Sequence, residues 1–135
     1  MNDIYTDCEK IEINPNDYLM LVSLNKSFDY EKAHGTYKRI DIYEKSRKYW
    51  VVAKERAEKI DYILGVYRGI VRSVIKVDGY EYTDKDEEAN VIFQRKRCCF
   101  RGTLVNDSPY LNKSVSDYPF GSGGAVRYIA NDNID

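Results

Sequence analysis

The stretch YILGVYRGIVRSVIKV, residues 62–77, decides the architecture. Two runs rich in β-branched and aromatic residues flank Arg68-Gly69, and glycine supplies the positive φ that a tight two-residue turn requires. The segment predicts a β-hairpin near the middle of the chain. Upstream, YLMLVSLN at 18–25 is almost continuously apolar, the pattern of a strand covered on both faces, and it is expected mid-sheet. Downstream, VIFQRKRCCFRGTLV at 91–105 regains strand character, with Gly102 marking a bulge or a close backbone approach. After the glycine-rich turn at 119–124 a last strand is expected over 125–130.

Between these strands the period changes. Tyr43, Arg47 and Trp50 fall at i, i+4 and i+7, so a short helix there places all three on one face. AKERAEKID at 53–61 is rich in helix formers and pairs Glu55 with Lys59, which predicts a solvated surface helix. A third short helical segment is expected around Tyr110 to Tyr118, and the acidic run Asp78 to Asn90 reads as a mobile loop. Residues 1–17 end in the turn cluster Asn14-Pro15-Asn16-Asp17 and form an N-terminal arm. The order predicts a single α+β domain over 18–135, with a small curved, mainly antiparallel sheet and two to three short helices.

The 135 residues suffice for one core, and Leu, Ile, Val and Phe make up 24% of them, enough to offset the entropy of ordering. The longest apolar run, around Leu19 to Val22, is far too short to span a membrane, and the acidic start at Asp3, Asp7 and Glu9 does not read as a signal peptide. Three cysteines without a CxxC spacing suit a reducing compartment, so a cytoplasmic setting is expected. The net charge of −1 conceals segregation. Residues 38–72 carry ten Lys/Arg against five Asp/Glu, residues 78–88 carry six acids against Lys85, and Arg95, Lys96, Arg97 and Arg101 follow with no acid between them. Such a pattern is compatible with a basic concavity and an acidic rim, or with solvated faces that pair with each other. The 13 tyrosines, against four Phe and one Trp, give most aromatic rings a hydroxyl, which suits half-buried walls and stacking on bases.

The inventory for catalysis is thin. A single histidine, His34, excludes His-pair chemistry and reads as a surface residue. Cys98 and Cys99 are adjacent on a strand and point to opposite faces, so they do not ligate one metal, and no metal or cofactor is expected. No acid/base carboxylate pair stands out. The GSGG loop at 121–124, containing Ser122, can bring backbone N–H groups close to a phosphate, and Arg127 can add charge-assisted bonds. It lacks the following Gly-Lys-Ser/Thr of a P-loop, and its plainer role is steric relief before the last strand.

YLMLVSLNKSF (18–28), residues 43–77, RCCFRG (97–102) and YLNKSVSDYPFGSGGAVRYI (110–129) together resemble a compact bacterial and phage domain found C-terminal to GIY-YIG nuclease domains. The chain is also similar to the wider PUA-like group, including EVE-type domains, whose curved sheets enclose a modified base or nucleotide-like ligand. Carried over by position, the resemblance implies Asn25, Tyr43, Arg47, Trp50, Lys113, Ser114, Arg127 and Tyr128 as ligand-binding candidates. The chain has no GIY or YIG strand pair, so nuclease activity does not transfer. Ala125-Val126 stands where the family carries Pro before its last Arg.

These lines converge on a non-catalytic pocket: Trp50 or Tyr43 stacking on a base, Asn25 reading its edge, and Arg47 and Arg127 with the Ser122 loop holding phosphate. The plainer reading of Trp50 is a core residue. The expected ligand is a free signalling nucleotide, captured as a phage-type sequestering protein would capture it. A flipped or modified base in nucleic acid is the alternative, and a protein–protein or homo-oligomer interaction module is the competing class.

Overall fold

The computed structural model describes residues 9–24, 46–86, 90–121 and 124–130. Among the described residues, five strands and one short helix are arranged in the order β1 (Leu19–Ser23), α1 (Lys54–Ala57), β2 (Tyr62–Tyr67), β3 (Ile70–Asp86), β4 (Val91–Leu104) and β5 (Val126–Ile129). The strands form one sheet in the order β4-β3-β2-β1-β5. All pairings are antiparallel except that of β1 with β2. The described residues form a single small, mostly β domain with a curled, mainly antiparallel sheet, in rough agreement with the α+β expectation.

The hairpin forms where the sequence places it. Arg68 and Gly69 take φ of 52° and 79°, so both turn residues are left-handed, matching the twist of the flanking strands. β1 lies between β2 and β5, and Leu19, Met20, Leu21 and Val22 are all fully buried, as expected for a strand covered on both sides. Met20 and Val22 enter one core with Ile63, Ile75 and Phe100; Leu19 and Leu21 enter the other with Leu64, Val71 and Val74. The second core is closed by Ile11, Tyr110 and Val115, so residues 9–17 lie against the sheet.

The first core shows that the sheet curls. Cys98 and Phe100 come from one edge strand, and Val126 and Tyr128, from the other edge, pack against the same cluster. Register shifts between Gly65 and Val66, Val77 and Gly79, and Thr83 and Lys85 supply the added twist. α1 and the flanking Val52 and Ile60 fill the hollow.

Three expectations change. As far as Asp86 the acidic run is not a loop: β3 continues to that residue, and beyond the end of β2 it pairs only with β4, as a two-stranded ribbon, while residues 87–89 lie outside the described residues. Tyr80 and Tyr82 point inward and Glu81 outward, so solvated acids occupy one face of a real strand. Helix formation from Tyr43 is described only at residues 46 and 47, after which the chain extends and pairs at Trp50. The segment 110–118 forms turns and not a helix.

A Cβ at Gly102 would stand 2.0 Å from the backbone oxygen of Lys76, whereas one at Gly121 would meet nothing within 4 Å. Gly102→Ala must displace β3 from β4. It should cost about 1–3 kcal/mol in urea unfolding, with Gly121→Ala close to wild type.

Candidate functional site

A cleft of about 340 Å³ opens between residues 47–49 and the outward face of the β3–β4 ribbon, lined by Arg47, Lys48, Tyr49, Glu81, Thr83, Lys85 and Cys99. Its position follows from how the chain is tied down on either side. Trp50 exchanges two backbone hydrogen bonds with Cys98, at 3.0 and 2.7 Å, and so joins the outer edge of β4. The Trp50 indole N–H donates to the Ser46 carbonyl at 2.9 Å, and the Ser46 and Ser73 hydroxyls hydrogen-bond at 2.8 Å in full burial. Arg47 donates to the Phe100 carbonyl at 3.2 Å. Residues 47–49 are thereby held beside β4, with their polar groups in the cleft.

The chemistry of the cleft is cationic and aromatic. The Tyr49 and Phe93 rings meet at 5.3 Å and 51°, with Lys48 Nζ 5.1 Å from the Tyr49 ring and the Arg97 guanidinium 4.8 Å from the Phe93 ring. Glu81 is engaged by Arg101 at 2.9 Å. Burial raises the Tyr49 hydroxyl above its ordinary value, Lys48 working against it and Asp86 with it. Burial likewise raises the Cys99 thiol, more than Arg47 and Lys48 lower it, so Cys99 stays protonated at neutral pH and is a weak nucleophile. Among the described residues, no group of His, Cys, Asp and Glu could hold a metal ion.

Of the expected residues that are described, the structure brings only Arg47 into this cleft. Trp50 is half-buried against the curled-sheet core, and so is Tyr128, whose ring lies 4.2 Å under the Arg56 guanidinium. Arg127 sits on β5, donating to the Pro119 carbonyl at 2.8 Å above the Tyr118 ring. Lys113 is paired with Glu9, and the Ser114 hydroxyl accepts from the Ser116 N–H at 3.2 Å. Asn25, Tyr43 and Ser122 lie outside the described residues. The two cysteines do face apart, Cys98 into the core and Cys99 into the cleft. Sequence reasoning missed Lys48, Tyr49, Lys85 and Phe93. The signals were a Lys-Tyr pair beside Arg47, one base within an acidic run, and a ring beside a basic run.

Behind the cleft, the Tyr82 hydroxyl donates to the Val52 carbonyl at 2.5 Å and fastens the ribbon over the segment that carries Tyr49. Burial pushes Tyr82 and Tyr110 up from 10 to about 12, and Cys98 from 9 to about 12. Each is raised in the folded state, so its contribution is whole below its unfolded value and is lost as pH climbs to the folded value. The urea midpoint should hold near neutral pH and fall between about pH 9 and 12. Tyr82→Phe should cost about 0.5–1.5 kcal/mol at neutral pH and make the alkaline decline shallower.

No helix among the described residues is long and apolar enough to cross a membrane. No family model, curated protein or solved structure matches the chain, so its cleft and its curled sheet carry the functional argument by themselves.

Proposed function

We propose that the chain is a non-catalytic binding domain that captures a nucleotide-like ligand in the cleft between residues 47–49 and the β3–β4 ribbon. The observation that carries this reading is the meeting of three cations, Arg47, Lys48 and Lys85, with the Tyr49 side chain in one 340 Å³ recess. Guanidinium and ammonium groups suit phosphate, and a tyrosine ring beside them suits a base. The volume lies at the small end of the range for ligand sites, roughly 300–1,000 Å³, which favours a single nucleotide over a polymer. A protonated, buried Cys99 favours holding the ligand over attacking it.

The curled, mainly antiparallel sheet is in keeping with a PUA-like domain, and free Cys98 and Cys99 thiols are in keeping with a cytoplasmic setting. A nucleic-acid reader is the second reading. It is favoured by Arg95, Lys96, Arg97 and Arg101 along β4, next to the cleft.

The test is calorimetric titration with a panel of nucleoside monophosphates and cyclic nucleotides, and with single-stranded oligonucleotides, at low and high salt. Capture of a free nucleotide predicts binding with a shallow salt dependence, since few phosphates are neutralised. Arg47→Ala should weaken it by about 1.5–3 kcal/mol, the range for hydrogen bonds to charged groups. Binding confined to oligonucleotides and lost at high salt would favour the nucleic-acid reader, and no binding to either would remove the cleft from consideration.

A further inference from the structure

A larger cavity lies elsewhere, near the opposite end of the ribbon. It is a groove of about 720 Å³ with Ile13, Tyr62, Val105 and Pro109 in its walls and Glu12 and Asp107 among its lining residues. The groove is built in advance: the Tyr110 hydroxyl donates to Asp17 at 2.5 Å and accepts from the Asn14 N–H at 3.1 Å, which clamps two turns together. Among the described residues, the side chains of Glu12 and Asp107 make no ion pair or hydrogen bond. Two carboxylates without an ion pair or hydrogen bond, beside the apolar surfaces of Ile13, Tyr62, Val105 and Pro109, suit an occupant that is part apolar and part cationic.

That chemistry is present on the same chain. On the distal half of β4, Ile92 is 75% exposed and Val91 47% exposed, and Arg95 and Lys96 project into solvent beside them. The ribbon acids Glu81, Asp84 and Asp86 belong to β3, the inner strand, so the outer strand is the basic one. A molecule cannot join its own two surfaces. Val105 bonds to Val74 at the groove, whereas Ile92 pairs with Lys85, about 40 Å further along the strand at about 3.3 Å per residue. With a net charge of −1, two copies hardly repel each other overall.

We infer that the chain associates head to tail, the basic outer strand β4 of one copy docking its Ile92 and Arg95-Lys96 segment into the acidic groove of the next. The contact is heterologous: it uses two different patches, and it either closes into a ring or continues as a chain of copies. The inference is independent of the nucleotide cleft, whose Arg47 takes part in neither patch.

Sedimentation velocity on the full chain tests it. Wild type should sediment above its 15.8 kDa monomer mass in a concentration-dependent way at low salt and return towards it at high salt. Arg95→Glu with Lys96→Glu, and separately Glu12→Lys with Asp107→Lys, should each weaken association at least about tenfold, because like charges then face each other. An equimolar mixture of the two variants should associate again, since each supplies the partner surface the other lacks. All four substitutions fall on exposed side chains, and circular dichroism checks that each variant stays folded. A wild type that is monomeric at every concentration, or variants that associate as wild type does, would overturn the inference. So would a monomeric wild type that binds a tetra-arginine peptide through Glu12 and Asp107, which would assign the groove to a foreign basic partner.

Discussion

The two backbone hydrogen bonds between Trp50 and Cys98 are the constraint on which the functional half of the molecule depends. A single residue pair brings an extended segment alongside the outer edge of β4, and the buried Ser46–Ser73 hydroxyl pair fixes the segment at its other end. Below that pair the sheet has no side chain to spare. A Cβ at Gly65 would lie 2.4 Å from the Ser73 hydroxyl and 2.5 Å from that of Ser46, so glycine makes room for the bond. Removing either hydroxyl leaves the other buried without its partner, a cost of about 1–3 kcal/mol for the unsatisfied group. A feature buried in the core thus determines where the solvent-facing Arg47, Lys48 and Tyr49 stand.

Those three side chains illustrate how charge and packing divide the work. Ion pairs in the described surface, such as Lys10 with Asp117, are exposed on both sides and contribute little to stability. At the cleft and beside it, by contrast, cations rest against ring faces, Lys48 on Tyr49 and Arg97 on Phe93, so that each charged group packs against an aromatic wall. The same device recurs on the curled side, where Arg56 covers Tyr128 and donates to the Tyr18 hydroxyl at 2.6 Å. The abundance of tyrosine follows from it: a ring closes the wall while the hydroxyl satisfies a neighbouring polar group.

Much of the fold was legible because its signals are local. Gly69 announced the turn, the unbroken apolar run of β1 announced burial on both faces, and Gly102 marked a backbone contact that admits no side chain. The acidic run 78–86 was misread because charge density outweighed a two-residue period that Tyr80 and Tyr82 do carry. Solvated acids are no obstacle to a strand whose other face packs on a core, and Arg101 pairs with Glu81 across it. The cleft was harder. Arg47 was identified because it shares a local pattern with Trp50, but Lys85 and Phe93 reach the site only through the pairing of β3 with β4, which no sequence period encodes. Arg127 and Tyr128 are neighbours in sequence and alternate in direction along β5, so one strand could not send both into the same pocket.

The position of β1 has a consequence for how the chain is made. Among the described strands it comes first in the sequence, yet its two neighbours in the sheet are β2, which begins at Tyr62, and β5, which ends at Ile129. The four other described elements between β1 and β5 have therefore been synthesised before both edges of LMLVS can be paired. β2, β3 and β4 are joined by short connections and can pair with one another as they emerge, whereas the most apolar strand waits with an open edge for the last one. A nascent chain stalled before residue 126 presents that edge to any extended segment nearby. Translation of β5 is thus the step that covers the second edge of β1.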